Sequence, residues 1–168
     1  MYDLKTVKFN RKYEYIVGTT STDIIISFKN SKADGLGEPL PKGNINFYEI
    51  DEEDGTNQFV GVATLSNTSL NQDVNLKIGT AFDVIGKTTT VSASNQNRVN
   101  EAEYEVVLTN NKKENIEVEV IRQLSNVNTE ILNSSISYEK KDARTVTFLV
   151  KLNAGQERKF TFKERTTY

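Results

Sequence analysis

Four consecutive carboxylates, Asp51-Glu52-Glu53-Asp54, form the densest group of chemically capable side chains in the sequence, and Gly55 follows them. Carboxylate oxygens suit a hard cation, which makes Asp51, Glu53 and Asp54 a weak Ca²⁺ candidate. Their spacing departs from an EF-hand loop, and acids followed by glycine also make ordinary solvated turns for backbone reasons; the turn is the favoured reading. Asp83 is a lone acid between Phe82 and Val84. Such an acid is expected to be buried and hydrogen-bonded to backbone N–H groups. To act as a general acid or base it needs a second titrating group at a matched distance. Asp142 and Arg144 are spaced for a local pair, which contributes about 0–1 kcal/mol when exposed. Tyr13, Tyr15, Tyr48, Tyr104 and Tyr138 offer rings that could stack on the CH faces of a sugar. Tyrosine on a strand is more often packing with a polar tip at the surface, and that reading is favoured. The N-x-S/T sequons at Asn67 and Asn133 are expected by chance in so Asn- and Thr-rich a chain.

The sequence holds no histidine and no cysteine. That removes Ser-His-Asp and Cys-His nucleophiles. It removes zinc sites built on thiolate or imidazole, and the usual ligation of non-haem iron, blue copper and haem. Any catalysis would have to use carboxylates, Lys, Tyr, Ser or Thr, and no catalytic or cofactor-binding residue and no cofactor is assigned. The formal charge of −2 and a pI near 5.4 argue against a nucleic-acid partner. The densest basic spot, Lys112-Lys113, is followed at once by Glu114 and reads as a solvated turn. No apolar run approaches the ~18 residues of a membrane-spanning helix, and Met1 to Lys5 lacks the apolar stretch of a signal peptide.

The elements that position these groups read as strands. Apolar and polar residues alternate with period two through 24–28, 44–50, 59–65, 74–78, 103–109, 116–121, 145–152 and 159–163. The acidic run Asp51 to Gly55 reads as a hairpin turn, as does Asn110 to Asn115. The segment from Lys29 to Gly43 carries both prolines of the chain and several glycines, and reads as a structured crossing loop. Val91 to Ala102 is polar and weakly periodic, a long loop or a mobile edge where a single domain spanning 1–168 could subdivide. A chain of 168 residues buries roughly 70% of its unfolded surface. Short strands joined by polar turns predict an all-β antiparallel sandwich, Ig-like at least in its C-terminal half. Ile26, Phe28, Phe47, Val62, Leu76, Ile78, Phe82, Val106, Leu108, Val118, Val120, Val146, Phe148, Val150 and Phe162 are the expected core.

Several blocks fall in an order that resembles a known domain: Leu36-Gly37-Glu38-Pro39-Leu40-Pro41-Lys42-Gly43 leading into Phe47-Tyr48, Phe59-Val60-Gly61, and Leu76 to Gly86. Tyr104 to Lys112, Tyr138 to Ala143 and Leu152 to Gln156 continue the series. Together they resemble the C-terminal β domain of unknown function of mucoidy inhibitor A-like proteins, over nearly the whole chain. The resemblance implies the terminal module of a larger envelope-associated bacterial protein, whose relatives carry a smaller N-terminal domain and a coiled coil. It supplies no catalytic residues. Where relatives often have His-Thr-Pro, this chain has Asn67-Thr68-Ser69. The expected role is a non-catalytic structural or protein-interaction module with a protein partner or self-association. The alternatives are a carbohydrate-binding module or, less favoured, a carboxylate-based glycoside hydrolase.

Overall fold

Period-two alternation becomes strand after strand. The computed structural model describes residues 7–50 and 55–168, and these form two compact units. One takes the chain up to Lys12 together with Asp23–Thr80; the other takes Tyr13–Thr22 and Ala81–Tyr168. The protein is all-β, with sheets that are mainly antiparallel. The single helical element among the described residues is a 3-10 turn at Lys32–Asp34.

In the first unit, β2 (Thr22–Lys29) neighbours β5 (Asp73–Ala81), while β3 (Gly43–Ile50) and β4 (Asn57–Leu65) form an antiparallel hairpin. The contacts Asn30–Gln72 and Ser27–Asn75 and the ion pair Asp23–Lys77 climb one strand while descending the other, so β2 and β5 run antiparallel. Ile26, Val74, Leu76 and Ile78 face Ala63 and Leu65 of the hairpin in a buried cluster, with Phe28, Ile45, Phe47 and Val60 packed around it. Burial of such side chains stabilises by roughly 1.5–3 kcal/mol each. At Gly61 the hairpin backbone lies directly on β5, and a Cβ there would overlap the Ile78 carbonyl oxygen. The acidic segment expected to form a turn, with the Ca²⁺ candidate Asp51, Glu53 and Asp54, lies outside the described residues.

In the second unit, β1 (Asn10–Ile16) pairs in parallel with β8 (Ile116–Gln123) through Tyr13 to Ile16. β8 pairs antiparallel with β11 (Thr145–Leu152), which carries the two-residue β10 (Glu139–Lys140) at its far edge. A second sheet has the order β6-β7-β12-β9, formed by Val84–Gln96, Val99–Asn110, Glu157–Thr167 and Thr129–Ser134. The sheets pack face to face. Phe148 of β11 sits with its ring 5.1 Å from both Phe160 and Phe162 of β12, separations typical of offset aromatic pairs. Val106, Leu108, Val118, Val120, Val146 and Val150 complete this core. Tyr15 is fully buried, with its hydroxyl bonded to the Thr19 carbonyl at 3.0 Å and to the Thr88 hydroxyl at 2.9 Å. Its ring occupies the space that a side chain at Gly86 would need.

Three expectations are corrected. Phe82 is 95% exposed. It stands in the bend between β5 and β6, where alternation stops and Ala81 and Val84 take the inward places. Val62 is 48% exposed. A bulge at Phe47/Tyr48 resets the hairpin register, so Gly61, Ala63 and Leu65 take the inward positions. Of the two expectations for residues 91–102, the long loop is overturned, whereas an edge is present, β6 being the end strand of its sheet. These residues are the distal halves of β6 and β7, joined at Asn97 and Arg98, whose φ values of 51° and 64° make a type I′ connection.

Candidate functional site

Asp83 is not the buried, backbone-held acid expected from sequence. Its side chain is 42% exposed and ion-pairs with Lys112 Nζ at 2.9 Å. Its carbonyl, not its carboxylate, accepts the Asn111 N–H at 2.7 Å. Partial burial works to lower the Lys112 pKa, but the hydrogen bond it donates to Asp83 and nearby charge outweigh it, and the net displacement is upward. Lys112 is therefore a held cation, with no tendency toward a neutral base. Asp142 accepts the Arg144 N–H at 2.7 Å, which lowers its pKa. The Arg144 guanidinium turns away from Asp142 to the carbonyls of Leu124 and Ser125, at 3.3 and 3.2 Å.

The candidate tyrosines do not gather into a platform. Tyr13 and Tyr15 are buried, and Tyr104 stacks on Phe162 at 5.2 Å. Tyr138 tilts against Phe148, and Tyr48 meets Phe59 edge-on at 68° on the open face of the hairpin. No two of the described tyrosines share a ring contact. Tyr104 instead joins an ion pair that sequence reasoning missed. Arg122 of β8 grips Glu164 of β12 in two-pronged fashion, Nε to Oε2 at 2.9 Å and an Nη to Oε1 at 2.6 Å, with its guanidinium 4.8 Å from the centre of the Tyr104 ring. Burial pulls the Arg122 pKa down, Glu164 pushes it up by more, and the net shift is upward. Burial, then the Glu164 charge, raises the phenol of Tyr104. The two opposite charges answer each other inside the cluster, so the arrangement bridges the two sheets of this unit. Among the described residues no three Asp, Glu, His or Cys side chains come together as a metal-binding group.

Two buried asparagines are the other residues missed. Asn30 donates through Nδ2 to the carbonyls of Glu38 at 2.8 Å and Ser69 at 3.0 Å, and its Oδ1 accepts the Gly37 N–H at 3.1 Å. Asn110 does the same in the second unit, donating to Glu114 and Asn153, both at 2.9 Å, and accepting the Lys112 N–H at 3.0 Å. Both are fully buried. They tie down loop backbone, including the buried Gly37 N–H that would otherwise be stranded from water, which is a structural task.

What remains accessible is a surface and a groove. β6 is the end strand of its sheet, paired only with β7. From Thr88 to Gln96 it carries no charge, and Thr89 to Gln96 are all exposed. In the first unit, a groove of about 450 Å³ lies along the outward faces of β2 and β5 and the segment Lys8 to Lys12 that leads into and opens β1. No helix among the described residues is long and apolar enough to cross a membrane. Compared with family models, with curated proteins and with solved structures, the chain matches none of them. The resemblance to the mucoidy inhibitor A-like domain rests on its sequence blocks.

Proposed function

We propose that this protein is a non-catalytic interaction module that recruits a protein partner by strand addition at the β6 edge. The supporting observation is the edge itself. Sheet edges in soluble proteins are usually blunted by lysine, proline or inward charge, because open N–H and C=O groups template further pairing. β6 has one bulge, at Thr90/Ser92, and no other such device between Thr88 and Gln96. A second copy of the chain is the simplest occupant. An antiparallel pair of β6 strands sets no like charges opposite each other, and such a contact closes as a two-fold dimer. The composition agrees, since it lacks the usual nucleophile and base pairs. Placement as the terminal domain of an envelope-associated protein is part of the proposal and rests on the resemblance.

The test is sedimentation equilibrium of the full chain over a wide concentration range, beside the double variant Thr89→Lys/Ser94→Lys. A dimer that the lysines abolish, with unchanged circular dichroism, supports the reading. A chain that stays monomeric at every concentration overturns it, as does a dimer indifferent to the lysines.

A further inference from the structure

We propose a second site, independent of the β6 edge: the groove of the first unit binds an acidic saccharide, a sugar unit carrying one carboxylate. The groove has a volume of about 450 Å³, within the range of roughly 300–1,000 Å³ usual for small-molecule sites. Its walls follow from strand alternation. Ile26, Val74 and Leu76 of β2 and β5 are committed to the core, so Ser27, Lys29, Asp73 and Asn75 stand on the opposite face. The lead into β1 closes one side and is tied down by the Lys8 N–H bonded to the Asp34 carbonyl at 3.0 Å.

The charges identify the ligand. Lys8, Lys12 and Lys29 line the groove, and none makes an ion pair among the described residues. Asp34 and Asp73 line it as well, and neither reaches a lysine. Three ammonium groups against two carboxylates leave one positive charge for a ligand to meet. A single carboxylate meets it, whereas a polyphosphate chain would set repeated negative charge against Asp34 and Asp73. Asp34 already accepts the Ser31 hydroxyl at 2.6 Å through Oδ2, which leaves its other oxygen and the Asp73 carboxylate to accept from a ligand's hydroxyls. Asn10 and Asn75 add amide groups at the same surface. Ser27 donates to Asn75 Oδ1 at 2.6 Å, which orients that amide and leaves its N–H groups free to donate. Phe9, 55% exposed at the rim, supplies an apolar face for the CH side of a sugar ring. Hydroxyl donors, one carboxylate and an apolar face occur together in a uronic acid unit. An acidic peptide offers the carboxylate without the array of hydroxyls.

The probe is galacturonic acid, which carries one carboxylate, titrated calorimetrically against the full chain, with its methyl ester and polyglutamate as comparisons. The expected result is binding of the free acid that weakens as salt is raised, and loss of most affinity on esterification. The double variant Lys12→Gln/Lys29→Gln, made at exposed positions, is expected to reduce affinity at least severalfold while melting as the parent does. Absence of binding overturns the proposal. So does ester binding as tight as the acid, polyglutamate binding as tight as the saccharide, or a variant with undiminished affinity. Esterification and salt dependence are read on the unaltered chain, so the test stands even if the variant folds poorly. Lysines placed on β6 are expected to leave this binding unchanged, which separates its failure from failure of the edge reading.

Discussion

Replacing Asn30 with alanine tests whether a single buried amide holds the long crossing loop. The side chain makes two well-formed donor bonds, to Glu38 at 2.8 Å and Ser69 at 3.0 Å, a long third to Thr68 at 3.4 Å, and accepts the Gly37 N–H at 3.1 Å. Gly37 is buried, so its N–H is stranded, at a cost of about 1–3 kcal/mol. Glu38 and Ser69 are exposed residues whose carbonyls can turn to water, so each good bond there loses only its net value, about 1 kcal/mol. The total is about 3–5 kcal/mol, a large part of the stability of about 5–15 kcal/mol typical of a domain. Urea unfolding followed by circular dichroism measures it, with an unchanged slope showing that the folded and unfolded states keep their character. Asn30→Asp keeps an acceptor for Gly37 but sets a carboxylate against carbonyl oxygens, so it should be no better than alanine. A loss below about 1 kcal/mol for Asn30→Ala would refute the reasoning, since it would mean the loop backbone finds other partners at no cost.

Gly61→Ala should lower stability by about 1–3 kcal/mol or more, because the added methyl meets the backbone of β5; a urea midpoint within error of the parent would show that the hairpin can lift off without penalty. Tyr13 is buried with a hydroxyl that has no hydrogen-bond partner, so Tyr13→Phe should be neutral or stabilising by about 1–2 kcal/mol, and a clear destabilisation would show that the hydroxyl has a partner after all. Glu101 is held by Lys163 at 2.5 Å and Arg165 at 2.7 Å, which place its pKa below the ordinary 4.5. That pairing stabilises fully above the unfolded value and is lost as pH falls through the lowered one, so Glu101→Gln should flatten the acid side of the stability profile; parallel acid losses in parent and variant would contradict this.

How much of this was legible depended on how much of each strand faces a core. Ile116 to Ile121 and Phe148 to Leu152 bury alternate residues against the core, so their sequences alternate cleanly and the sandwich was readable from them. β6 does not alternate. Beyond Thr88 it is exposed on both faces, no apolar residue is required at any second position, and the main-chain ladder to β7 alone defines it. Its turn was missed because Asn97 and Arg98 take positive φ without the glycine that usually announces it. Tyr13 and Tyr15 are buried, as the favoured packing reading has them, but β1 itself was not legible as a strand; it sets both rings on one face beside Val118 and Val120 of β8. The groove was unreadable for another reason. Lys8, Lys12 and Lys29 are ordinary solvated lysines in sequence, and only the adjacency of strands makes them one wall.

The blocks that carry the resemblance divide from the surfaces that carry the proposals, and the division has a physical cause. Leu36 to Gly43 includes the Gly37 N–H and the Glu38 carbonyl that Asn30 holds, and its Leu40 pairs with Thr68 by two backbone bonds of 2.9 Å. Asn110 to Lys112 and Leu152 to Gln156 meet at the Asn110 amide and at the Gln156 carbonyl. Each of these three blocks therefore includes backbone groups, the buried Gly37 N–H among them, that a buried asparagine satisfies, which limits the choice of side chain there. The β6 edge and the groove impose no such demand on the fold. Their lysines, threonines and asparagines can be exchanged for other polar residues at small cost to stability, typically within about 0.5 kcal/mol. A role placed there can change its partner without touching the blocks that set the shape. A role placed at Asn30 or Asn110 could not, and that is the argument for seeking binding at the edge and the groove.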